Sequence, residues 1–531
     1  MLQPKIIALY LALGGRLLCA CASDTDGPRA FAGDVENEAT AATTDTATDT
    51  ATALADALPD PETVVTGTAS DTAVDEPSDT TVTSETEDTR ASDTADPPDT
   101  ALPPATVRYD FPHFTDVLEA IRGEKTVWAN FAYVTYDDGA PVMWSADYDG
   151  TAAENDFWPA SAIKVYTAIA ALVLLAEYDL SLDAEATFYH RAGGSWVEDT
   201  TRSVREFIHG SVNCSSNSDY TLALRLAGID WLNTEFLTPD RGFAETALMV
   251  GYVDSRPHRY IQDEDQRIVL VDGAKTVTRE HSWSGHSYSN DVGCVVYNGD
   301  SIANCSSPRD MTTHMARLVQ HELLPEAQRF ALRQSDLDWF LYDALDNTAT
   351  CGGAGWEGVQ RVFPDADFFR KGGLVADYKI DLHYVRDQAS GTEYVAAIAL
   401  DDTGGSTMAR MCEATARMAL TPDRYVHLES LVDHVNPVVA DVMVYSAYAG
   451  EVELVIKDFA EDPDSEDGWT ALPGTQMPVA PGVSWLALES TCLDFEATVH
   501  VRARITVPGR DDVRGLSDLH YVIVEGACAT P

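Results

Sequence analysis

The chain has 531 residues, of which 45% are hydrophobic, and its formal net charge is −51. This length is sufficient for two or three domains with sizeable hydrophobic cores. Because phosphate binding requires clustered lysine and arginine side chains, so acidic a chain is not expected to bind nucleic acid.

Residues 1–20 have the pattern of an export signal. Lys5 precedes an apolar run from Ile6 to Leu13, and a small residue, Ala20, stands immediately before Cys21. The arrangement resembles a bacterial lipoprotein signal, in which cleavage before the cysteine would make Cys21 the lipid-bearing N-terminus. An ordinary cleaved signal peptide is the alternative. We therefore expect export to the cell envelope, with a lipid anchor on a membrane that faces the periplasm or the cell exterior.

Residues 21–106 form a segment rich in Asp, Thr, Ala and Glu, with Phe31 as its single aromatic residue. Such a composition cannot bury enough apolar surface to fold, so we predict a disordered acidic linker. From residue 107 the composition becomes that of a globular protein, which we divide into a domain at 107–424 and a domain at 425–531.

The cysteines of an exported chain are expected to form disulfides. No C-x-x-C spacing occurs, so a thiolate zinc site is not expected, and no other cofactor is indicated. Sequence does not fix the pairing. We predict Cys294–Cys305, Cys351–Cys412 and Cys492–Cys528, with Cys214 as a free thiol.

The globular part opens with a predicted helix at 114–121 and a strand at 126–136. The Asp-Asp-Gly sequence at 137–139 predicts a hairpin turn, and residues 141–145 return as a second strand.

A helix beginning near Pro159 and running through Leu175 follows, with apolar residues on nearly all sides. Ser161 and Lys164 stand one turn apart on the same face of this helix. A lysine in such surroundings has a lowered pKa and can accept a proton from a serine hydroxyl. A chance match to S-x-x-K is the alternative.

Helical segments at 203–212 and 221–228 flank a polar loop that contains Ser215 and Asn217. Rigid flanks can hold such a hydroxyl and carboxamide towards a cleft, and helix capping is the alternative role. Residues 250–301 are predicted to form a solvated loop.

Ser307 and Pro308 predict the start of another helix, which extends to Leu324. Lys371-Gly372-Gly373-Leu374 follows an aromatic strand, and the two glycines would let a ligand approach the backbone. Strands at 382–385 and 394–400 and a helix at 407–420 complete this part.

Taken in order, Ser161-x-x-Lys164, Ser215-x-Asn217 and Lys371-Gly-Gly resemble the motifs of the serine β-lactamase and penicillin-binding-protein superfamily, nearest to class A β-lactamases, over residues 114–420. The resemblance implies an α/β (α+β) fold in which helices flank an antiparallel sheet, together with an all-α lobe.

The resemblance also implies roles for these residues. Ser161 would be the acylated nucleophile, Lys164 its activating amine, and Ser215 the group that passes a proton to the leaving nitrogen. Asn217 would bind the substrate amide and Lys371 the substrate carboxylate. The backbone N–H groups of Ser161 and Leu374 would form the oxyanion hole, and Gly372 and Gly373 would line the substrate site.

Two departures from the family pattern limit the comparison. Lys371-Gly372-Gly373 stands in place of K-T-G or K-S-G and lacks the hydroxyl that helps to bind a carboxylate. No E-x-x-L-N segment follows Ser215, and Glu245 and Glu280 are the nearest substitutes for its water-directing glutamate. The sequence thus supports acyl-serine chemistry more strongly than rapid hydrolysis.

Residues 425–531 lie outside the resemblance. Alternating apolar runs separated by Gly, Pro and Asp predict a small all-β sandwich. It is expected either to pack on the first domain or to bind wall glycan or a neighbouring protein.

Three functions follow as hypotheses. The first is an exported serine hydrolase that cleaves a β-lactam or a related amide. The second is a D-alanyl-D-alanine-type peptidase acting on a peptidoglycan stem peptide, and the third is a sensor of penicillin or of the cell wall. A monomer is expected.

Overall fold

The computed structural model describes residues 109–213, 215–253, 255–260, 264–294, 302–345, 354–375, 377–432, 436–465, 467–509 and 515–525. The predicted signal and Cys21, the linker, Cys214 and Cys528 lie outside these ranges, so those calls stay predictions. Cys351 also lies outside them.

Ten α-helices occur in the described residues: α1 (Phe114–Arg122), α2 (Lys164–Glu177), α3 (Val204–Val212), α4 (Asn217–Ala227), α5 (Ile229–Trp231), α6 (Tyr288–Asp291), α7 (Pro308–Val319), α8 (Gln334–Trp339), α9 (Ala354–Gln360) and α10 (Gly405–Leu420). Single turns of 3-10 or π geometry lie at Thr151–Ala153, Ala160–Ile163, Leu232–Phe236, Pro239–Arg241, His321–Leu323, Glu326–Gln328 and Phe340–Leu345.

The strands of the first domain are β1 (Val127–Asp137), β2 (Ala140–Asp147), β3 (Glu185–Ala192), β4 (Ser195–Ser203), β5 (Gln266–Asp272), β6 (Lys275–His281), β7 (Asp367–Val375), β8 (Tyr378–Asp387) and β9 (Thr392–Leu400). The remaining strands are β10 (Arg424–Leu431), β11 (Val439–Ser446), β12 (Gly450–Asp458), β13 (Thr470–Ala471), β14 (Met477–Val479), β15 (Gly482–Glu489), β16 (Ala497–Thr506) and β17 (His520–Val524).

A five-stranded antiparallel sheet in the order β2-β1-β9-β8-β7 organises the first domain. The predicted hairpin at 137–139 joins its first two strands, and β9 is buried along its whole length because helices cover both faces. The antiparallel sheet flanked by helices is therefore confirmed.

Helix α2 and the turn before it carry the nucleophile motif into the core. The span Ala160–Glu177 has a mean hydropathy of 1.6, enough in length and composition to cross a membrane, but 83% of it is buried inside the protein. Among the described residues this is the one such span, and its burial marks it as a core helix.

The helical part of the molecule also contains a second sheet, in the order β4-β3-β5-β6. The prediction of an all-α lobe is therefore wrong, and so is the prediction of a solvated loop throughout 250–301, where β5 and β6 form a hairpin. Phe188, Ile268 and Leu270 of this sheet are fully buried and pack on the helical core, which explains its formation.

The last part of the chain forms two antiparallel sheets, β10-β11-β15 and β13-β12-β16-β17, with β14 paired to β12. Strands from both sheets contribute to one apolar core. Tyr425 and Tyr445 join the core of the first domain, where the ring of Tyr445 stacks on His113 at 3.7 Å.

Three cysteine predictions can be compared with the described residues. The Cys294–Cys305 disulfide is present. Cys412 is a free, buried thiol on α10, so the Cys351–Cys412 pairing is wrong. Cys412 is fully buried, and its thiol lies close to Asp381 and His383. Cys492 is disulfide-bonded.

Candidate active site

The turn that carries Ser161 has a constrained backbone. Ala160, the residue before the serine, has φ +46°, an uncommon conformation for a residue with a side chain. The phenol of Tyr252 donates a hydrogen bond of 2.9 Å to the carbonyl of Ala160. Ser161 is partly exposed at the start of a helix that is otherwise buried. The hydroxyl is thus held at a fixed, accessible point beside the positive end of α2.

Lys164 lies in the core below this turn, with none of its surface exposed. Its Nζ donates to the carbonyl oxygen of Ser215 at 2.5 Å and to Oδ1 of Asn217 at 2.7 Å, and lies 3.3 Å from the hydroxyl of Ser215. The sequence predicted an approach to Ser161; in the described residues the hydrogen bonds go to Ser215 and Asn217 instead.

Two tyrosines that the sequence analysis did not identify complete the surroundings of this amine. Its Nζ lies 5.8 Å from the ring centre of Tyr220 and 5.8 Å from that of Tyr252. Their rings lie 4.7 Å apart. Neither belongs to a motif, although Tyr220 follows Asn217 by one helical turn, a spacing that places both beside the same neighbour.

Ser215 joins this buried lysine to a second one. Nζ of Lys371, whose residue is 2% exposed, donates to Oγ of Ser215 at 2.8 Å and to the carbonyl of Gly372 at 3.0 Å. Ser215 has φ +64°, whereas Ser216 caps α4 by accepting from the N–H of Asp219. Ser216 rather than Ser215 therefore supplies the cap, and the hydroxyl of Ser215 is free to bridge the two amines.

Burial controls the charge of both amines. The pKa of Lys164 is well below its usual value, chiefly because of burial and then because of the positive charge of Lys371, while Asp219 acts in the opposite direction. Burial, assisted by the positive charge of Arg370 and opposed by Asp381, lowers the pKa of Lys371 to about 7. One amine is thereby suited to accept a proton and the other to carry a charge at or below neutral pH.

Strand β7 passes directly against the nucleophile turn. A Cβ on Gly373 would lie 2.9 Å from the carbonyl oxygen of Pro159 and 3.1 Å from the backbone nitrogen of Ser161. Only glycine permits so close an approach of β7 to the turn. The side chain of Leu374 is 61% exposed, at the open edge of the site.

Glu245 and Glu280 do not contact this cluster in the described part of the chain. Glu245 accepts a hydrogen bond of 3.2 Å from Ser307, and its backbone N–H donates to Asp310 at 2.8 Å. Glu280 lies on β6 in an exposed ion pair with Arg267. Burial, followed by a carboxyl contact with Glu245, raises the pKa of Asp310 to about 7. Glu245 is thus engaged away from Lys164.

The structure thus places Lys164, Ser215, Asn217 and Lys371 in one hydrogen-bonded group, with Ser161 and Gly373 in the adjoining turn and strand. A hydroxyl together with a buried amine of lowered pKa can support nucleophilic acyl transfer, and a second cationic amine can bind an anionic group of a substrate.

Comparison with known proteins gives similarity in structure only. No protein family model and no curated protein matches the chain. A β-lactamase from Sphaerobacter thermophilus is 13% identical, covers 60% of this chain and 98% of its own, and has a TM-score of 0.38. A class A β-lactamase from Bacteroides cellulosilyticus is 13% identical, with 59% and 98% covered and a TM-score of 0.37.

PBP-A is 16% identical, with 58% of this chain and 96% of its own covered and a TM-score of 0.37. Identities this low concern the fold alone, so the chemistry assigned to the site rests on this chain's own residues. The chain is similar to class A β-lactamases and to PBP-A, and it combines antiparallel sheets with helices.

Proposed function

We propose that the protein is an exported serine hydrolase that cleaves a β-lactam or a related amide through an acyl-enzyme on Ser161. The observation that carries this proposal is the hydroxyl of Ser215, which lies between the amines of Lys164 and Lys371. Burial of two lysine side chains lowers the stability of a fold unless their amines are hydrogen-bonded or paired, so such residues are often retained for function.

In the proposed acylation, Oγ of Ser161 attacks the carbonyl carbon and its proton passes to the neutral amine of Lys164. The carbon–nitrogen bond then breaks, and the leaving nitrogen takes a proton through Ser215. The charged Lys371 binds the substrate carboxylate, and the N–H groups of Ser161 and Leu374 stabilise the oxyanion. Water later cleaves the ester, which releases the acid and restores Ser161.

The contacts of Glu245 favour slow hydrolysis of the acyl-enzyme. Glu245 is bound to Ser307, Glu280 is paired with Arg267, and the electrostatic partners of Lys164 are Lys371 and Asp219. Among the described residues, neither of the two candidate glutamates is therefore available to direct water at the acyl group. This observation supports a second candidate function, a D-alanyl-D-alanine-type peptidase or a penicillin or wall sensor that retains its acyl group.

The location of the protein is part of the same proposal. A lipid on Cys21 would hold it at a membrane, and the acidic linker would carry the site away from the surface. An exported site can meet β-lactams or wall peptides, which occur outside the cytoplasm.

Steady-state hydrolysis of nitrocefin and release of D-alanine from a wall peptide test these functions, with Ser161→Ala as the matched control. Turnover of nitrocefin that the variant lacks supports the hydrolase, and release of D-alanine supports the peptidase. Turnover that persists in Ser161→Ala would refute the assignment of Ser161 as the nucleophile.

A further inference from the structure

A buried ion pair lies behind the strand that carries Lys371. Arg370 and Asp381 are 7% and 0% exposed. Nε and Nη2 of Arg370 donate to Oδ2 of Asp381 at 2.7 and 2.6 Å, and Nδ1 of His383 lies 2.9 Å from Oδ1. Because successive side chains of a strand point to opposite faces, this pair lies on the face of β7 away from the site.

A metal site is the first alternative for these residues. Ligand atoms of Asp381, His383 and Cys412 lie within 4.8 Å of one another. Both oxygens of Asp381 are already engaged, however, and a cation would have to displace the guanidinium of Arg370. The ion pair is therefore the better account of the cluster.

The same guanidinium explains the glycine at 372. Gly372 pairs with Asp381 across the strands, and a Cβ on Gly372 would lie 2.6 Å from Nη2 of Arg370. A side chain at 372, such as the hydroxyl residue of the K-T-G pattern, would occupy the place of the guanidinium. Arg370 thus supports the backbone from which Lys371 projects.

The pair also acts on Lys371 through its charges. The charged or titratable groups around this amine are Lys164 from α2, Arg370 from its own strand, and Asp381 and His383 from β8. Arg370 lowers the pKa of Lys371 and Asp381 raises it, so the two partners oppose each other.

We propose that Arg370 and Asp381 are positioning residues for acyl transfer: together they hold Lys371 on Ser215 and set the charge with which it meets the substrate carboxylate. The inference rests on the proposed function for its consequence in catalysis. Its physical content, the control of Lys371, does not require a substrate.

The test is an NMR titration of the full chain labelled with ¹³C at lysine Cε, in which the Lys371 signal is assigned by its loss in Lys371→Arg. Arg370→Met removes a positive charge, so the Lys371 midpoint should rise by about one pH unit. Asp381→Asn removes a negative charge, so the midpoint should fall by a similar amount.

The double variant Arg370→Met/Asp381→Asn should return the midpoint towards that of the wild type, and Arg370→Lys, which keeps the charge, should leave it nearly unchanged. A purely structural role would not produce opposite shifts. Equal midpoints in the folded single variants, or shifts in the same direction, would overturn the proposal.

Thermal unfolding of each variant shows whether it folds. If Arg370→Met and Asp381→Asn do not fold, Gly372→Ala provides the test, because it keeps both charges and displaces the guanidinium of Arg370. Its Lys371 midpoint should move and its rate of acylation by a fluorescent penicillin should fall several-fold; an unchanged midpoint and rate would overturn the proposal. Absence of acylation in the wild type would instead refute the proposed function, while the titration would still test the pair.

Discussion

Replacement of Gly373 by alanine tests how closely strand β7 must approach the nucleophile. The new Cβ would lie 2.9 Å from the carbonyl oxygen of Pro159, 3.1 Å from the nitrogen of Ser161 and 3.2 Å from Cβ of Ala160. Two of these atoms are backbone atoms, which cannot rotate away as the end of a side chain can.

The size of the effect follows from these distances. Ordinary contacts begin at 3.4 Å, so β7 must move by about 0.5 Å from the turn. Overpacking of this kind typically costs about 1–3 kcal/mol of stability. Loss of one oxyanion donor costs about 3 kcal/mol of transition-state stabilisation, so a displaced Leu374 N–H should slow acylation by roughly 10- to 100-fold.

The assay is the time course of acylation by a fluorescent penicillin, read beside thermal unfolding. Gly404→Ala is the matched control, because Gly404 has φ −64° at the start of α10 and the three atoms nearest to a Cβ there all belong to the side chain of Asp402. If Gly373→Ala acylates at the wild-type rate, β7 does not supply the oxyanion donor and the assignment of Leu374 is wrong.

Three further predictions concern the two amines and the disulfide. Lys164→Met should slow adduct formation on the order of 10²- to 10⁴-fold in stopped-time gels, since it removes the proton acceptor; acylation at the normal rate would remove Lys164 from that role. Lys371 is charged below its pKa of about 7 and loses the charge above it, so the KM for a carboxylated penicillin should rise above pH 7 in the wild type and stay flat in Lys371→Arg. If the KM of the wild type and that of Lys371→Arg depended on pH in the same way, Lys371 would not bind the substrate carboxylate through its charge. Cys294→Ser/Cys305→Ser opens a disulfide with a sequence separation of 11 and should lower the free energy of unfolding in urea by about 3 kcal/mol; unchanged stability would show that the bridge constrains little.

The sequence predicted the elements with strong local patterns. The helix at 114–122, the hairpin of β1 and β2, and α7 with Ser307 as its cap lie close to their expected positions. Each depends on apolar periodicity or on capping within a few residues, so distant parts of the chain do not alter it.

The sequence did not predict the sheet β4-β3-β5-β6, because its strands are partly exposed and contain many charged residues. In β4 and β6 most residues are exposed or partly exposed, and the burial of β3 and β5 depends on helices far away in the chain. Such strands carry no clear alternation of apolar residues, and tertiary packing decides them.

The sequence predicted which residues belong to the candidate site, but it did not predict which of them contact one another. The sequence identified Ser215 and Lys371 and gave helix capping as the alternative role of Ser215 and Asn217, whereas Ser216 caps α4 in the structure. It also explained both glycines by ligand approach, whereas Gly373 faces the nucleophile turn and Gly372 faces Arg370. Contacts between distant strands and turns are fixed by the fold and leave no local signal.

Whether Ser161 is an acylated nucleophile can be tested by mass spectrometry of the full chain after incubation with a fluorescent penicillin, followed by peptide mapping. We expect one covalent adduct on Ser161 that is absent from Ser161→Ala and that persists, because Glu245 is bound to Ser307 and Asp310. A folded protein that forms no adduct, or an adduct on another residue, would contradict the claim that Ser161 is an acylated nucleophile.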